Sequence, residues 1–461
     1  MAARVADRDL RLEAGGALTP TLPRAHGVSR AEVRAALTTL GPAIRELLGP
    51  RAPSGFLALP LRRTMQREIL AAARRWRERG VRDVIHVGIG GSSLGAETLF
   101  RALAHPFHNE LPLRKRRAPR AHFVDNVDPE TLAALLDVVD LDRSVIHVVS
   151  KSGSTVETAA GFQTLRRLLG RGARLARHCI FTTGDGGLAQ LAQREGVEVL
   201  AFPEDVGGRY SVLSGSGLLT PALAGVDVAG VMAGARRYRA RIEKAAPSRN
   251  PSAVAAAIAF RLAERRGKGL QVLMPYADAL EPLSRWFVQL LGESLGKTRK
   301  RGRRVEAVGQ TPLAARGTTD QHSQVQLFVE GPADKLVVFL VPERSRQEVR
   351  IGGGEPARYL EGIGLGRLLR AEQRGTEVAL ARAGRPTLSW RIRRVDAHSM
   401  GQLFLALELQ TALQAVLYGI DAYDQPGVEA GKVAAFALLG RKGYEAERAA
   451  IERLRIPRWT V

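Results

Sequence analysis

Val84-Ile85-His86-Val87 runs directly into Gly88-Ile89-Gly90-Gly91-Ser92-Ser93-Leu94-Gly95. A short apolar strand ends in a glycine turn that opens a helix, and this unit decides the fold class. The alternation continues downstream, with strand candidates at 121–124, 145–149, 179–182 and 197–201 separated by helical segments. Strands that alternate with helices imply βαβ units and a parallel sheet. The pattern pauses after Ala222. It resumes with a strand at 270–274, a helix over 280–296 and a strand at 336–341. The expectation is an α/β protein with two parallel-rich subdomains.

Upstream of this unit the first eighty residues read as helical. Ser29 and Glu32 make a capping box ahead of Val33, Leu37, Leu40, Ile44 and Leu48, and Pro42 is expected to kink or split that helix. A second helix is expected over 64–79, with Ile69, Ala73 and Trp76 on one face and Gly80 at its C-terminal end. Near the other end, 400–418 is apolar almost all round, which predicts a helix buried between units. The expected division is 1–80 (helical), 81–225 and 226–400 (two α/β subdomains) and 401–461 (helical).

Composition narrows the function class. The 461 residues are 45% hydrophobic and 25% charged, the balance of a globular protein too long for a single core. The net charge is +23, and only nine of the 69 basic residues are Lys. Arg is spread along the chain, with dense runs only at 114–117 and 297–304, neither interleaved with aromatic residues. This predicts a dispersed basic surface that draws in an anionic metabolite, not a sequence-specific nucleic-acid reader. The single cysteine, Cys179, excludes an internal disulfide and fits a reducing compartment, and its apolar strand setting reads as core. The charged start, 1–16, carries no apolar targeting segment, and no run of about 18 apolar residues marks a membrane span. A cytoplasmic protein without a membrane partner is expected.

Chemistry concentrates in a few stretches. The glycine turn offers backbone N–H groups and a helix N-terminus to an anion or a polar sugar; Ser93 stands where a dinucleotide fingerprint needs Gly, and no Gly-Lys-Ser/Thr follows. Ser150-Lys151-Ser152-Gly153-Ser154-Thr155-Val156-Glu157-Thr158 places five hydroxyls at a strand-to-helix turn, more than a helix cap needs. Such donors suit a phosphate, and without a metal-binding cluster in the sequence the expectation is that it is held and not transferred. Val206-Gly207-Gly208-Arg209-Tyr210-Ser211 puts a guanidinium behind two glycines, suited to a developing oxyanion, although a surface Arg after a turn reads the same way. On the 280–296 helix Gln289 and Glu293 share a face; Glu293 is a candidate general base, and a plain i,i+4 pair with Lys297 is the bland alternative. His322 in Thr318-Thr319-Asp320-Gln321-His322-Ser323 and Lys432 in Gln425-Pro426-Gly427-Val428-Glu429-Ala430-Gly431-Lys432 are isolated, and no Cys/His cluster suggests a metal.

Taken in order, these segments resemble the phosphoglucose isomerase family in its shorter bacterial form, over roughly 84–443. The resemblance implies two SIS-type three-layer α/β/α sandwiches, no metal and no organic cofactor. It implies that Ser150, Ser152, Thr155 and Thr158, with the Lys151 backbone, hold a phosphate, and that Gly91 and Ser92 contact the sugar. It assigns ring opening to His322 with Lys432, proton transfer between C2 and C1 to Glu293, charge stabilisation to Arg209 and positioning to Gln289. It further implies a homodimer in which the histidine reaches into the other subunit's site. The rivals are a dual phosphoglucose/phosphomannose isomerase and a non-catalytic SIS-type sugar-phosphate sensor. The sequence departs from the family at Ser152-Gly153-Ser154, where many members carry Thr and a bulkier residue, and in the basic run 297–304.

Overall fold

The computed structural model describes residues 10–454; residues 1–9 of the charged start and 455–461 of the C-terminal segment lie outside these. The described residues divide into two compact units, one ending at Ala422 and the other starting at Tyr423.

In the larger unit the N-terminal strand β1 (Arg11–Glu13) precedes the five strands of one sheet: β2 (Asp83–Val87), β3 (Arg120–Val124), β4 (Ser144–Ser150), β5 (Cys179–Thr183) and β6 (Glu198–Ala201). Their spatial order is β3-β2-β4-β5-β6 and every pairing is parallel. A second sheet combines β7 (Leu270–Pro275), β10 (Thr311–Ala314), β11 (Lys335–Pro342) and β12 (Thr387–Ile392) in the order β12-β11-β7-β10, again parallel, and β1 adds antiparallel to β12. Between β7 and β10 the chain forms an antiparallel hairpin of β8 (Lys297–Arg301) and β9 (Arg304–Val308). The central strands β4 and β11 are buried along their whole length, as parallel strands covered on both faces must be. Phe162 and Leu165 of the Val156–Leu169 helix pack on Ile146, Val148 and Phe181 of the first sheet.

Both sheets have a place where the strand order reverses. From β2 the chain moves outward to β3 and then crosses to β4 on the other side; from β7 it moves outward to β10 and crosses to β11. Open α/β sheets bind ligands at the carboxyl ends of the strands that flank such a reversal. The glycine turn leaves β2 and the hydroxyl-rich turn leaves β4, so both open at the first of these crevices.

The expected strands and helices appear within one to three residues of their predicted ends, and the Ser29–Glu32 capping box closes with both reciprocal bonds. Two expectations need correcting. Pro42 does not split its helix: Arg30–Leu48 is continuous, because its buried face (Val33, Ala36, Leu37, Leu40, Ile44, Leu47) outweighs one lost backbone bond. The first eighty residues are not only helical, since β1 closes the edge of the second sheet. The basic run 297–304 is the β8–β9 hairpin, turning at Gly302 in the left-handed region (φ 63°). The Ala397–Tyr418 helix is buried as expected: it is long and apolar enough to cross a membrane, and 89% of its apolar window is buried inside the protein. It packs against the Arg30–Leu48, Val228–Lys244, Pro251–Arg266 and Glu281–Leu295 helices, and Trp286 meets Phe404 edge-on at 4.7 Å between ring centroids.

Candidate active site

The Glu281–Leu295 helix follows β7 but packs on the Leu94–Leu103 helix that follows β2. A helix of the second half is therefore laid against the crevice of the first. It presents Glu293 to Arg209: Nη1 donates to Oε2 at 3.2 Å, and the other carboxylate oxygen accepts from Gln289 Nε2 at 3.0 Å. Arg209 is only 3% exposed. Its Nε donates to Ser294 Oγ at 2.8 Å, Nη2 donates to the Ala422 carbonyl, and the guanidinium carbon lies 5.7 Å from the Tyr210 ring centroid. The surface-Arg alternative fails for this residue. So does the pairing of Glu293 with Lys297: the helix ends at Leu295, and Lys297, one residue past the Gly296 cap, turns away to donate to the Asp421 carbonyl at 2.9 Å.

The glycine turn is pressed onto this pair. A Cβ on Gly91 would run into the Gly208 carbonyl and the Arg209 backbone nitrogen, so only glycine permits this approach. The two turns that the sequence left separate, 88–95 and 207–211, thus form one surface beside Glu293.

The hydroxyl-rich turn adjoins it. Ser150 and Thr158 are buried, Ser150 Oγ lies 3.2 Å from Thr155 Oγ1, and Thr158 Oγ1 has no hydrogen-bond partner among the described residues. Ser150, Gly153, Thr155 and Thr158 line a cavity of about 90 Å³ together with Gly187, Leu188 and Leu191. Ser152 and Ser154 are joined Oγ to Oγ at 3.1 Å. Lys151 reaches out of this turn to the other: its Nζ donates to the carbonyls of Glu204 (2.9 Å) and Val206 (2.8 Å), immediately before Gly207. The Lys151 ammonium thus ties the hydroxyl turn to the arginine turn.

Two candidates are not gathered by these contacts. His322 ends the short turn Thr319–His322 beyond β10; it is exposed and makes no hydrogen bond or ion pair among the described residues. Lys432 belongs to the smaller unit, on the Glu429–Leu438 helix, where it pairs with Glu429 at 2.9 Å. Among the described residues no group of three or more His, Cys, Asp or Glu is arranged to hold a metal ion.

Sequence reasoning missed the polar layer beneath the crevice. His86 of β2 and His147 of β4 are register partners and fully buried. Thr220, on the Gly215–Leu223 helix, lies 2.9 Å from His86 Nδ1 and 2.8 Å from His147 Nδ1; His147 Nε2 is 2.8 Å from Thr182 Oγ1, and His86 Nε2 is 2.7 Å from the Ser92 carbonyl. Burial pushes the His86 imidazole down to about 4 and His147 well below its ordinary value, with His86 adding to the latter shift. The available signal was a histidine within each of two otherwise apolar strands that lead into the two crevice-facing turns.

The arrangement offers a carboxylate, a buried guanidinium and hydrogen-bond donors for a phosphate along one crevice, and the comparisons agree with it. The family described as phosphoglucose isomerase matches residues 63–352 and 377–449. A glucose-6-phosphate isomerase of Rubrobacter xylanophilus is 44% identical over 421 residues, covering 89% of this chain and 95% of the relative. One of Thermus thermophilus is 39% identical over 86% of this chain and 95% of the relative. Among solved structures, a hypothetical protein, also of Thermus thermophilus, superposes with a TM-score of 0.79 at 35% identity, covering 94% of this chain and all of that one. The fold is shared by a glucose-6-phosphate isomerase of Chlamydia trachomatis, with a TM-score of 0.78 at 20% identity over 97% of this chain and 92% of that one. With its motifs in order, its two parallel sheets and relatives matched over nearly their whole length, the chain belongs to the phosphoglucose isomerase family.

Proposed function

We infer that this protein is an aldose–ketose isomerase that interconverts glucose 6-phosphate and fructose 6-phosphate. The observation that carries the reading is the buried Arg209 bonded to Glu293, with Gln289 on the other carboxylate oxygen and the hydroxyl turn tied alongside. In this reading Ser150, Ser152, Thr155 and Thr158 with the Lys151 backbone hold the phosphate, and Gly91 and Ser92 contact the sugar. Glu293 takes the proton from C2 and returns it to C1. The negative charge that appears on the cis-enediolate faces the Arg209 guanidinium, a donor fixed in place before the reaction begins. Gln289 orients Glu293. His322 and Lys432 open the sugar ring, and the exposure of His322 supports its service in a partner subunit's site, hence a homodimer. The four-part division at residues 80, 225 and 400 is retained as a proposal, supported by the two separate sheets. The reaction as proposed requires no metal or organic cofactor, and the protein is proposed to work in the cytoplasm without a nucleic-acid or membrane partner.

The test is a coupled assay on purified protein with glucose 6-phosphate, fructose 6-phosphate and mannose 6-phosphate, with and without a chelator. Rapid turnover of the first two that survives the chelator is expected. Binding of sugar phosphate without turnover would replace the enzyme by a sensor.

A further inference from the structure

We propose that Thr182, His147, Thr220 and His86 form a one-directional hydrogen-bond chain that ends on the Ser92 carbonyl, and that His86 is thereby a positioning residue for the turn that meets the sugar. The proposal rests on the isomerase reading of that turn.

The direction follows from one constraint. The Ser92 carbonyl can only accept, so His86 Nε2 must carry the proton that bridges the 2.7 Å between them. Both imidazoles are neutral in this buried setting, so His86 Nδ1 is a lone pair and must accept from the Thr220 hydroxyl at 2.9 Å. With its only hydrogen so used, Thr220 must accept from His147 Nδ1–H at 2.8 Å. His147 Nε2 is then the acceptor for the Thr182 hydroxyl, also at 2.8 Å. Every ring nitrogen and both hydroxyls are satisfied in one way only. The two histidines hold opposite tautomers, His86 with its proton on Nε2 and His147 with its proton on Nδ1.

The chain's end point gives it a function. Ser92 N–H already closes the turn onto the Ile89 carbonyl at 3.1 Å, and Ser93 N–H onto Gly90 at 2.9 Å. The Ser92 carbonyl and the Ser93 N–H are the two ends of one planar peptide unit, so the His86 bond anchors from the layer beneath a unit whose other end is bonded to Gly90. That unit lies one residue beyond Gly91, the residue pressed against Gly208 and Arg209. A buried and fully paired network holds a single geometry, because any rearrangement leaves polar groups unpaired in the interior. The sheet thereby sets the position of the sugar-facing turn relative to the guanidinium.

Two measurements test this. Long-range proton–nitrogen correlation spectra of the wild-type protein, labelled at histidine ring nitrogens, should give the Nε2–H tautomer for His86 and the Nδ1–H tautomer for His147. The reverse assignment, or two protonated rings at neutral pH, overturns the chain whether or not the protein isomerises sugar phosphates. The second measurement compares His86→Leu with His86→Gln, whose amide can both donate to Ser92 and accept from Thr220. For the folded Leu variant kcat/KM should fall roughly ten- to a hundredfold, the usual scale for a group that orients a ligand-contacting one. The Gln variant should recover most of it, and binding of inorganic phosphate should be unchanged in both. Equal losses in Leu and Gln, or no loss in Leu, reduce His86 to packing. If the Leu variant does not fold, Thr220→Val removes the central hydroxyl at nearly constant volume and should lower kcat/KM in the same direction; an unchanged value overturns the proposal.

Discussion

The two sheets repeat one topology and use it differently. In both, a central strand runs outward to a neighbour and the chain then crosses to the far side, so each sheet has a crevice where the order reverses. The first crevice is equipped: β2 and β4 carry buried histidines and run into the glycine and hydroxyl turns. The second crevice is filled. Tyr276 follows β7, its hydroxyl donates to Gln321 Oε1 (2.8 Å) and lies 3.1 Å from Thr376 Oγ1, and Gly317 lies so close to its ring that a Cβ would strike it. Burial pushes the Tyr276 phenol up to about 12, so it remains a neutral hydrogen-bond donor. The second sheet instead sends its contribution away from its own crevice, as the helix that carries Glu293 to the first. A ligand-binding topology therefore supplies a location, and the side chains beneath the strand ends determine whether it becomes a site.

The sharpest way to break this contrast is to remove the proposed base. Glu293→Gln should lower kcat on the order of 10²–10⁴-fold while sugar phosphate still binds, measured by exchange of the C2 proton with solvent. A variant within a fewfold of wild type would show that the imported helix brings no chemistry. Arg209→Lys keeps the charge but loses the planar fork that reaches Ser294, Glu293 and Ala422 together. A fall in kcat of about 10²-fold with KM nearly constant is expected from steady-state kinetics. A raised KM at constant kcat would move Arg209 from the reaction to substrate binding.

Acid should distinguish the halves next. Both buried imidazoles have folded-state values depressed below 6.5, so the unfolded chain binds protons first. The His86 contribution to stability is complete above about 6.5 and is lost as pH falls toward about 4, on the order of 3 kcal/mol, and His147 acts in the same direction. No histidine lies in β7 or β11. Hydrogen exchange at pH 5 should therefore show amides of β2 and β4 losing protection before those of β7 and β11; equal loss would contradict the localisation. A smaller effect is expected for Lys151→Met, which cuts the tether between the two turns. Two charge-assisted bonds are lost, and a rise in KM of about tenfold with a lesser change in kcat should follow. Smallest of all, Tyr276→Phe should cost about 1 kcal/mol in a denaturant melt and leave kcat within a fewfold. A catalytic collapse in that variant would mean that the second crevice is also functional.

The contrast explains what the sequence could and could not disclose. Strands β2, β4, β7 and β11 were legible because a strand covered on both faces reads as a near-continuous apolar run. The three-residue β1 was not, since its single Leu12 between charged neighbours carries no period. Glu293 and Arg209 were legible as chemistry but not as partners: a Gly-Gly-Arg turn reads identically whether its guanidinium meets water or Ser294. The His86–His147 pair was invisible because its meaning lies in the register of two strands about sixty residues apart, which no local pattern encodes.

The Ala397–Tyr418 helix has a consequence for how the protein is made. Four helices from earlier in the chain rest on it, and it is synthesised after all of them. Until Tyr418 clears the ribosome, the parts of the Arg30–Leu48, Val228–Lys244, Pro251–Arg266 and Glu281–Leu295 helices that this helix covers stay open. The nascent chain must carry them exposed, the condition under which incomplete chains aggregate and chaperones engage. A truncation before residue 397 should thus yield insoluble protein and not a smaller folded one, although both parallel sheets would be present in full.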